Sequence, residues 1–145
     1  MGQYKVEKAM LIDAPVQKIW DEILDVHKWP EWKDFVKSTK FSGQALAPGS
    51  KFKMKIQVKG PAMTFAVKIT DFDEQKVLAW QGGLPGGLTA KHGFIFEPKD
   101  GKTNVISWEE FKGPLVGLML KLVKPKDLES LHHRWLIAIK QRVEK

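Results

Sequence analysis

Residues 12–32 decide the fold, and they read IDAPVQKIWDEILDVHKWPEW. Apolar residues recur in the first half of this stretch at the i, i+3, i+4, i+7 spacing of one helix face: Val16, Ile19, Trp20, Ile23 and Leu24. Asp13 or Ala14 is the expected cap, and Pro15 suits the first turn because a residue there needs no partner for its N–H. The stretch predicts a helix that follows a strand from about Tyr4 to Asp13, and a second short helix over residues 27–33.

Alternating apolar and polar residues predict six more strands. The clearest pattern is KFKMKIQVK at residues 51–59, which places apolar side chains on one face and lysines on the other. The predicted strands cover residues 35–41, 51–59, 63–70, 76–81, 88–97 and 103–111, with turns at 48–49, 60–61, 82–87 and 100–101. Strands that follow one another through turns of this kind form an antiparallel meander.

One long helix is predicted at the end of the chain, from Pro125 or Lys126 to about Val143, with an apolar stripe of Leu128, Leu131, Trp135, Leu136, Ala138, Ile139 and Val143. The apolar segment 115–123 before it has two interpretations. It is either an irregular loop packed under the helix, or a mobile gate that touches an anionic membrane surface and admits an apolar ligand. In the second case the glycine-rich residues 82–87 form the opposing lip. An antiparallel sheet with segregated helices is an α+β architecture.

Composition limits the classes of protein and of chemistry that fit this chain. Its 145 residues are enough for one domain with a substantial core, and 43% hydrophobic with 28% charged residues is ordinary for a globular protein. The absence of cysteine excludes disulfides, thiol nucleophiles and thiolate metal sites. No apolar run reaches the roughly 18 residues of a membrane span, and the N-terminus lacks the pattern of a signal peptide. We therefore expect a cytoplasmic protein.

The net charge of +7 does not by itself identify a partner. Much of the basic excess lies on the lysine face of residues 51–59, where a solvated strand face accounts for it. The sequence has no zinc-finger spacing and no aromatic signature of RNA recognition, so we expect no nucleic-acid partner. An interaction module that presents this basic face to an acidic protein stays open as a hypothesis.

Several strings resemble those of START-like helix-grip proteins. They are residues 12–20, Asp25 and residues 29–32, followed by 48–49, 77–80, 92–94, 109–113 and 142–144. Over nearly the whole chain the sequence is similar to the polyketide cyclase/dehydrase-like bacterial branch of this superfamily, also called SRPBCC. The resemblance implies a strongly curved seven-stranded antiparallel sheet that grips the C-terminal helix, two short helices after the first strand, and a ligand cavity between sheet and helix. Residues 1–145 would then form a single START-like ligand-binding domain.

A helix that crosses such a sheet faces a largely apolar set of side chains, and these are the expected ligand-binding residues. The set comprises Phe52, Met54, Phe65, Val67, Leu78, Trp80, His92, Phe94, Phe96, Glu109, Leu118, Leu128, Leu131, His132 and Trp135. The alternative is that the same side chains simply fill the space between sheet and helix.

Two polar residues share the inner face with this set. His92 is in phase with Phe94 and Phe96, and Glu109 is in phase with Ser107, although the opposite phase of that strand is nearly as well supported. An inward carboxylate needs a donor, a ligand or a proton, and His92 is the candidate donor. Three interpretations of the two residues stay open. They are a core histidine beside a solvent-facing glutamate, or together a polar spot that orients a ligand. In the third interpretation they are the acid and the base of a cyclase or dehydratase.

No metal and no cofactor is expected. His132 and His133 are neighbours on the last helix, so their side chains diverge by about 100° and do not ligate one ion from one face. His132 borders the apolar stripe and is expected near the ligand, whereas His133 is expected in solvent.

The leading hypothesis is a protein that binds or transports a hydrophobic small molecule, which is lipid-like, quinone-like or polycyclic, in a cavity between the sheet and the C-terminal helix. The alternative is a polyketide-type cyclase or dehydratase with His92 and Glu109 as the catalytic candidates. The missing nucleophile, metal set and phosphate loop favour a protein without catalysis. A transient contact with an anionic membrane surface is a further expected partner interaction.

Overall fold

The sheet that the sequence predicts is present. A computed structural model describes residues 2–58 and 60–144. Its strands are β1 (Gln3–Ile12), β2 (Val36–Lys40), β3 (Lys51–Ile56), β4 (Met63–Asp73), β5 (Val77–Leu84), β6 (Leu88–Lys99) and β7 (Lys102–Lys112). They form one curved seven-stranded antiparallel sheet in the order β1-β7-β6-β5-β4-β3-β2. Strands β2 to β7 are a meander, and β1 pairs with β7.

The helices are α1 (Val16–Leu24), α2 (Trp29–Trp32), α3 (Val116–Leu122) and α4 (Pro125–Val143), with a short 3-10 helix at Val26–Lys28. In α1 the predicted apolar face is buried through Ile19, Trp20 and Ile23. The cap is Pro15 itself, so the prediction of Asp13 or Ala14 at that position was one or two residues early. The long helix α4 packs against the sheet and completes the predicted α+β helix-grip fold.

Two predicted connections differ from the structure. Residues 116–122 form helix α3, so segment 115–123 is not an irregular loop. The predicted loop 82–87 is shorter, because β5 continues to Leu84 and β6 begins at Leu88. Pairing of Leu84 with Leu88 leaves a three-residue turn at 85–87. Both differences arise because contacts remote in sequence extend regular structure beyond what local composition indicates.

The interior consists of two apolar clusters. The larger one contains most of the aromatic residues and the C-terminal two thirds of α4, from Leu131 to Val143. The smaller one lies under α3 and is built on Val6, Phe111, Val116 and Leu128. Helix α4 therefore contacts the small cluster with its first turn and the large cluster with the remainder.

Two polar contacts fix the end of α4 to the start of the chain. The Glu22 carboxylate accepts hydrogen bonds from Arg142 Nε at 3.1 and 3.2 Å. The backbone N–H of Asp13 donates to Glu144 Oε2 at 2.8 Å. Among residues 2–58 and 60–144, no helix combines the length and the hydropathy of a membrane span.

A close contact between neighbouring strands gives a test of this packing. Gly93 of β6 lies opposite Trp108 of β7, and a Cβ added at Gly93 would lie 2.3 Å from two atoms of the indole ring. Gly93→Ala should therefore lower the free energy of unfolding by about 1–3 kcal/mol, because the ring must move. Urea denaturation measures this change.

The matched control is Gly117→Ala on helix α3. A Cβ at Gly117 meets no atom within 4 Å, and alanine is the better helix former, so this variant should be neutral or more stable by about 0.5–1 kcal/mol. Equal unfolding midpoints for the two variants would contradict the described packing of Trp108 on Gly93.

Candidate functional site

A chain of four polar side chains crosses the interior from the sheet to helix α4. His92 Nε2 lies 3.0 Å from Ser107 Oγ, and Ser107 Oγ lies 2.7 Å from His132 Nδ1. His132 Nε2 lies 2.9 Å from Glu109 Oε1. His92, Ser107 and His132 are buried, whereas the Glu109 side chain keeps 14% of its surface exposed. We call these four residues the buried polar chain.

Strand register and helix crossing bring the four side chains together. Ser107 and Glu109 are two residues apart on β7 and therefore point to the same face of the sheet. Strand β6 places His92 directly opposite Glu109. Helix α4 crosses this face and brings His132 within hydrogen-bonding distance of both β7 side chains. His92, Glu109 and His132 were predicted site residues, whereas Ser107 was not, because a lone serine in an apolar strand carries no functional signal.

With both histidine rings neutral, one arrangement of protons satisfies every bond in the buried polar chain. The Glu109 carboxylate only accepts, so His132 donates to it from Nε2. The neutral His132 ring then accepts at Nδ1, where the Ser107 hydroxyl donates. His92 in turn donates its Nε2–H to the Ser107 oxygen. The hydrogen bonds therefore run in one direction from His92 to Glu109, with each group already in contact with the next.

Three aromatic rings surround His92 and keep it away from water. Its ring centroid lies 4.9 Å from that of Trp80, 4.8 Å from that of Phe94 and 5.3 Å from that of Trp135. This burial lowers the pKa of His92 well below its usual value of 6.5, and any positive charge on its neighbours His132 and Lys33 acts in the same direction. His92 is therefore neutral at pH 7 and serves as a neutral donor.

The buried polar chain also collects possible metal ligands. The donor atoms of His92, Glu109 and His132 all lie within 4.8 Å of one another. His133, by contrast, is exposed, as the sequence predicted. The ligating nitrogens of His132 are both engaged in hydrogen bonds, which a metal ion would have to replace. That no metal is bound stays a prediction.

A second polar feature, absent from the sequence predictions, lies directly after α2. The Lys33 side chain is fully buried. Its Nζ lies 3.7 Å from the ring centroid of Trp32, 4.1 Å from that of Trp29 and 4.3 Å from that of Trp135. We call these four residues the Lys33 cage. Indole faces attract an ammonium group, which stabilises its protonated form.

The amine of Lys33 has no counter-charge in hydrogen-bonding contact. Within the part of the chain that the structure describes, its Nζ has no hydrogen-bond partner. Burial lowers the pKa of Lys33 well below its usual value of 10.5, and the negative charge of Glu22 opposes this shift only in part. No local sequence pattern indicates this site, because lysines are ordinarily exposed and Lys33 interrupts no apolar pattern.

Most of the predicted wall residues lie in the interior. Each of the following is at most 7% exposed: Phe52, Met54, Val67, Leu78, Trp80, Phe94, Phe96, Leu128, Leu131 and Trp135. Two predicted wall residues reach the surface instead, since Phe65 is 37% exposed and Leu118 is 55% exposed. Phe65 lies near the start of β4, and Leu118 lies on the outer side of α3, so neither side chain is enclosed.

The buried rings contact one another between the sheet and α4. The ring centroid of Trp135 lies 5.3 Å from that of Trp29, 5.8 Å from that of Trp80 and 5.6 Å from that of Phe94. Phe52 lies 5.9 Å from Trp80 in the same way. These are distances between directly packed rings. Here the structure has aromatic contacts where the sequence predicts a cavity, so a ligand at this place requires the rings or a covering helix to move.

Two grooves open on the surface of the molecule. One, of about 490 Å³, follows strands β2 to β4 between Phe41, Phe52 and Val67. The other, of about 530 Å³, lies beside Lys140 and Glu144 at the end of α4. Both grooves are open to solvent, and neither is enclosed between the sheet and α4.

The seven-stranded sheet and the long helix α4 have the helix-grip fold. Comparison of the sequence with family models shows the family of the chain. Residues 3–144 match the model of a family described as polyketide cyclase / dehydrase and lipid transport. The chain belongs to this family. A search of curated proteins gives no match.

Solved structures of low sequence identity share the fold. A hypothetical protein, jhp0584, from Helicobacter pylori has a TM-score of 0.81 and 16% identity, with 97% of this chain and 88% of that chain covered. A START superfamily protein from Mycobacterium smegmatis has a TM-score of 0.76 and 17% identity, with 99% and 98% covered. The Zhui aromatase/cyclase from Streptomyces sp. R1128 has a TM-score of 0.77 and 14% identity, with 97% and 93% covered. At these identities the likeness shows the fold alone.

The lowered pKa of His92 predicts a loss of stability in acid. The unfolded chain takes up a proton on His92 near pH 6.5, whereas the folded protein does so only at lower pH. Between these two values the unfolded state binds more protons, so the free energy of unfolding falls as the pH falls. His92 alone should contribute a slope of up to about 1.4 kcal/mol per pH unit in this window.

Urea denaturation between about pH 7 and pH 5 measures this slope, because the usual histidine pKa lies inside that range. His92→Gln keeps a side-chain donor for Ser107 and should flatten the slope. His133→Gln removes an exposed histidine and should leave the slope as it is. A slope that His92→Gln does not change would contradict the burial of a neutral His92.

Proposed function

We propose that this chain binds a hydrophobic small molecule between the curved sheet and helix α4, and that the buried polar chain contacts the polar group of the ligand. The whole chain acts as one ligand-binding domain. The observation that carries this proposal is the buried polar chain itself, which lies in an interior otherwise built from aromatic and aliphatic groups. A lipid-like, quinone-like or polycyclic ligand suits such surroundings, and the family description includes lipid transport.

Stability alone gives a poor reason for these four polar side chains. Burying imidazole, hydroxyl and carboxylate groups costs free energy, and their mutual hydrogen bonds offset that cost only roughly. Apolar side chains of similar volume commonly stabilise an interior equally well or better. A ligand hydroxyl would instead meet the Glu109 carboxylate, an acceptor that His132 already holds in position. Glu109 is the member of the buried polar chain that is still partly exposed.

Helix α3 is the element whose movement would admit a ligand. Glu109 is paired in register with Val6, which belongs to the small apolar cluster under α3. Helix α3 covers this cluster but buries only Val116 among its own residues. A helix with so few buried contacts separates from the core at a low free-energy cost. The backbone N–H of Leu115 donates to the carbonyl of Gly87 at 3.0 Å, so the proposed gate and the opposing lip meet in the closed arrangement.

A polyketide-type cyclase or dehydratase is the second candidate function. The observation that favours it is the unbroken run of hydrogen bonds from His92 through Ser107 and His132 to Glu109. Such a run suits an acid and a base that exchange protons with a bound substrate. In this candidate Glu109 and His132 face the substrate, and His92 supplies protons from behind. The family description names cyclase and dehydrase activities next to lipid transport.

A contact with an anionic membrane surface is part of the proposal for a lipid-like ligand. Four leucines around α3 and the tip of the β5–β6 hairpin are exposed: Leu84 (60%), Leu115 (37%), Leu118 (55%) and Leu122 (67%). We call these residues the leucine patch. The flanking lysines 112, 121, 124 and 126 are exposed as well. Apolar side chains ringed by basic ones match the apolar interior and the anionic headgroups of a bilayer.

Substitution of Glu109 tests the proposed orientation of the ligand. Glu109→Gln keeps the shape of the side chain and removes its charge, so it should weaken binding of an apolar alcohol such as pyrenebutanol about tenfold. Binding of butylpyrene, which lacks the hydroxyl, should change less than twofold by the same argument. Energy transfer from tryptophan to pyrene measures both affinities.

Glu110→Gln is the matched control, because Glu110 lies on the same strand with its side chain on the other face. It should change neither affinity. Failure of both probes to bind the unsubstituted protein would contradict the proposed function. Equal weakening of both probes by Glu109→Gln would contradict the role of the buried polar chain in orienting a ligand. Chemical conversion of a polyketide-type substrate that Glu109→Gln abolishes would favour the cyclase instead.

The leucine patch gives a separate prediction. Leu118→Asp should lower cosedimentation with anionic phosphatidylserine vesicles, with an affinity reduced about tenfold, because an apolar contact is replaced by a repelled charge. Its thermal stability should stay close to that of the unsubstituted protein, since Leu118 is exposed. Leu11→Asp is the control, because Leu11 is 48% exposed on β1 and lies outside the leucine patch. Equal sedimentation of the two variants would refute the membrane contact.

A further inference from the structure

Three side chains of the Lys33 cage carry donor groups without partners. Lys33 Nζ, Trp32 Nε1 and Trp135 Nε1 are buried, and none has a hydrogen-bond partner among residues 2–58 and 60–144. No other buried side-chain nitrogen or oxygen in those ranges lacks a partner. Buried polar groups are normally paired, so three unpaired ones in one cluster of packed side chains need an explanation. An indole nitrogen only donates, and a protonated amine only donates, so what all three lack is an acceptor.

No group in the described part of the chain supplies that acceptor. The nearest acidic influence on Lys33 is Glu22, whose two carboxylate oxygens accept from Arg142 Nε at 3.1 and 3.2 Å. The carboxylate of Asp34, the next residue along the chain, is exposed and pairs with Arg134 at 3.1 Å. The carboxylates of Glu22 and Asp34 are therefore both paired with arginines, and the Lys33 amine lies over three indole rings.

We propose that the Lys33 cage binds the carboxylate of the ligand, so that the ligand is an acid with an apolar body. This inference rests on the proposed function and narrows its ligand class. A carboxylate offers two oxygens with several acceptor sites, which matches one ammonium and two indole donors. It also supplies the negative charge that a buried ammonium otherwise lacks. The same interior walls, which are aromatic, accommodate the apolar body of such an acid.

Trp32 is the wall of the cage that can open. It is only partly buried, whereas Trp29 and Trp135 are at most 1% exposed. Trp29 is also held by a hydrogen bond from its Nε1 to the carbonyl of Ile23 at 3.0 Å. Trp32 ends the four-residue helix α2 and has no comparable bond. Rotation of Trp32 would expose Lys33 without disturbing the sheet.

The Lys33 cage and the buried polar chain share one neighbour. Trp135 contacts Lys33 Nζ at 4.3 Å on one side, and its ring centroid lies 5.3 Å from that of His92 on another. The positive charge of Lys33 is also among the causes that lower the pKa of His92. A ligand carboxylate beside Lys33 would neutralise this charge. The two sites are therefore separate positions of one binding region.

Pairs of probes that differ only in the head group test the proposal. Pyrenebutanoic acid is compared with pyrenebutanol, and decanoic acid with decanol. The unsubstituted protein should bind each acid at least about tenfold more tightly than its alcohol, as expected for charge-assisted hydrogen bonds in a buried site. Isothermal titration calorimetry measures all four affinities.

Lys33→Met keeps an unbranched apolar side chain and removes the amine. It should weaken binding of both acids about tenfold or more and leave the alcohols within about twofold, so that the preference for acids disappears. Trp32→Phe keeps an aromatic wall, removes one donor and should reduce the preference by about threefold. The control is Lys28→Met, which removes an exposed lysine paired with Asp25 and should leave the preference unchanged.

Folding of the variants is checked by thermal unfolding. Lys33→Met should raise the melting temperature by several degrees, because it removes a buried and unpaired amine. If the unsubstituted protein binds acids and alcohols equally, or if Lys33→Met retains the preference, the carboxylate site is refuted while the proposed function stands. If no probe of either pair binds, both the carboxylate site and the proposed function are refuted.

Discussion

The packing of Trp135 against the concave face of the sheet holds helix α4 in place, and the positions of both polar sites follow from it. Its indole ring touches Trp80 and Phe94 of the sheet, Trp29 of α2 and Phe35 before β2. Aromatic rings packed at these distances bury large apolar areas and prefer edge-to-face geometry, which fixes the helix in one position. Because α4 is held here, His132, one turn earlier, reaches the strand side chains with hydrogen-bonding geometry.

Two polar sites flank this aromatic contact, and they differ in kind. In the buried polar chain, the four side chains form hydrogen bonds with one another. The Lys33 cage is unsatisfied, because its three unpaired donors have no acceptor among residues 2–58 and 60–144. An interior that serves stability alone needs neither, because apolar side chains commonly fill such a space at similar or lower free-energy cost. A region for binding an amphipathic molecule explains both, since it needs apolar walls and a few oriented polar groups.

Local sequence patterns predicted most helices and strands, but they did not predict which side chains from different elements contact one another. The periodicity of residues 16–24 and the alternation of residues 51–56 correspond to α1 and β3, because each pattern directly reflects a buried face. Helix α3 was missed because a seven-residue helix depends on tertiary contacts. Ser107 and His132 form a hydrogen bond although they are 25 residues apart, so no local pattern indicates it. Lys33 is buried although lysines are usually exposed, so its burial has no local signal either. The ring contacts that occupy the predicted cavity depend on packing details that periodicity does not contain.

The proposed function requires that a hydrophobic molecule enters the space between the sheet and α4. The most direct measurement is nitrogen–proton correlation NMR of the indole N–H groups of the six tryptophans during titration with pyrenebutanoic acid and pyrenebutanol. If the probe enters this space, the Trp135 signal should shift in proportion to the fraction of protein that has bound the probe. The signal of Trp108, whose ring packs on Gly93, should keep its position. A titration in which Trp135 does not move, or in which Trp108 alone moves, would contradict the proposed function.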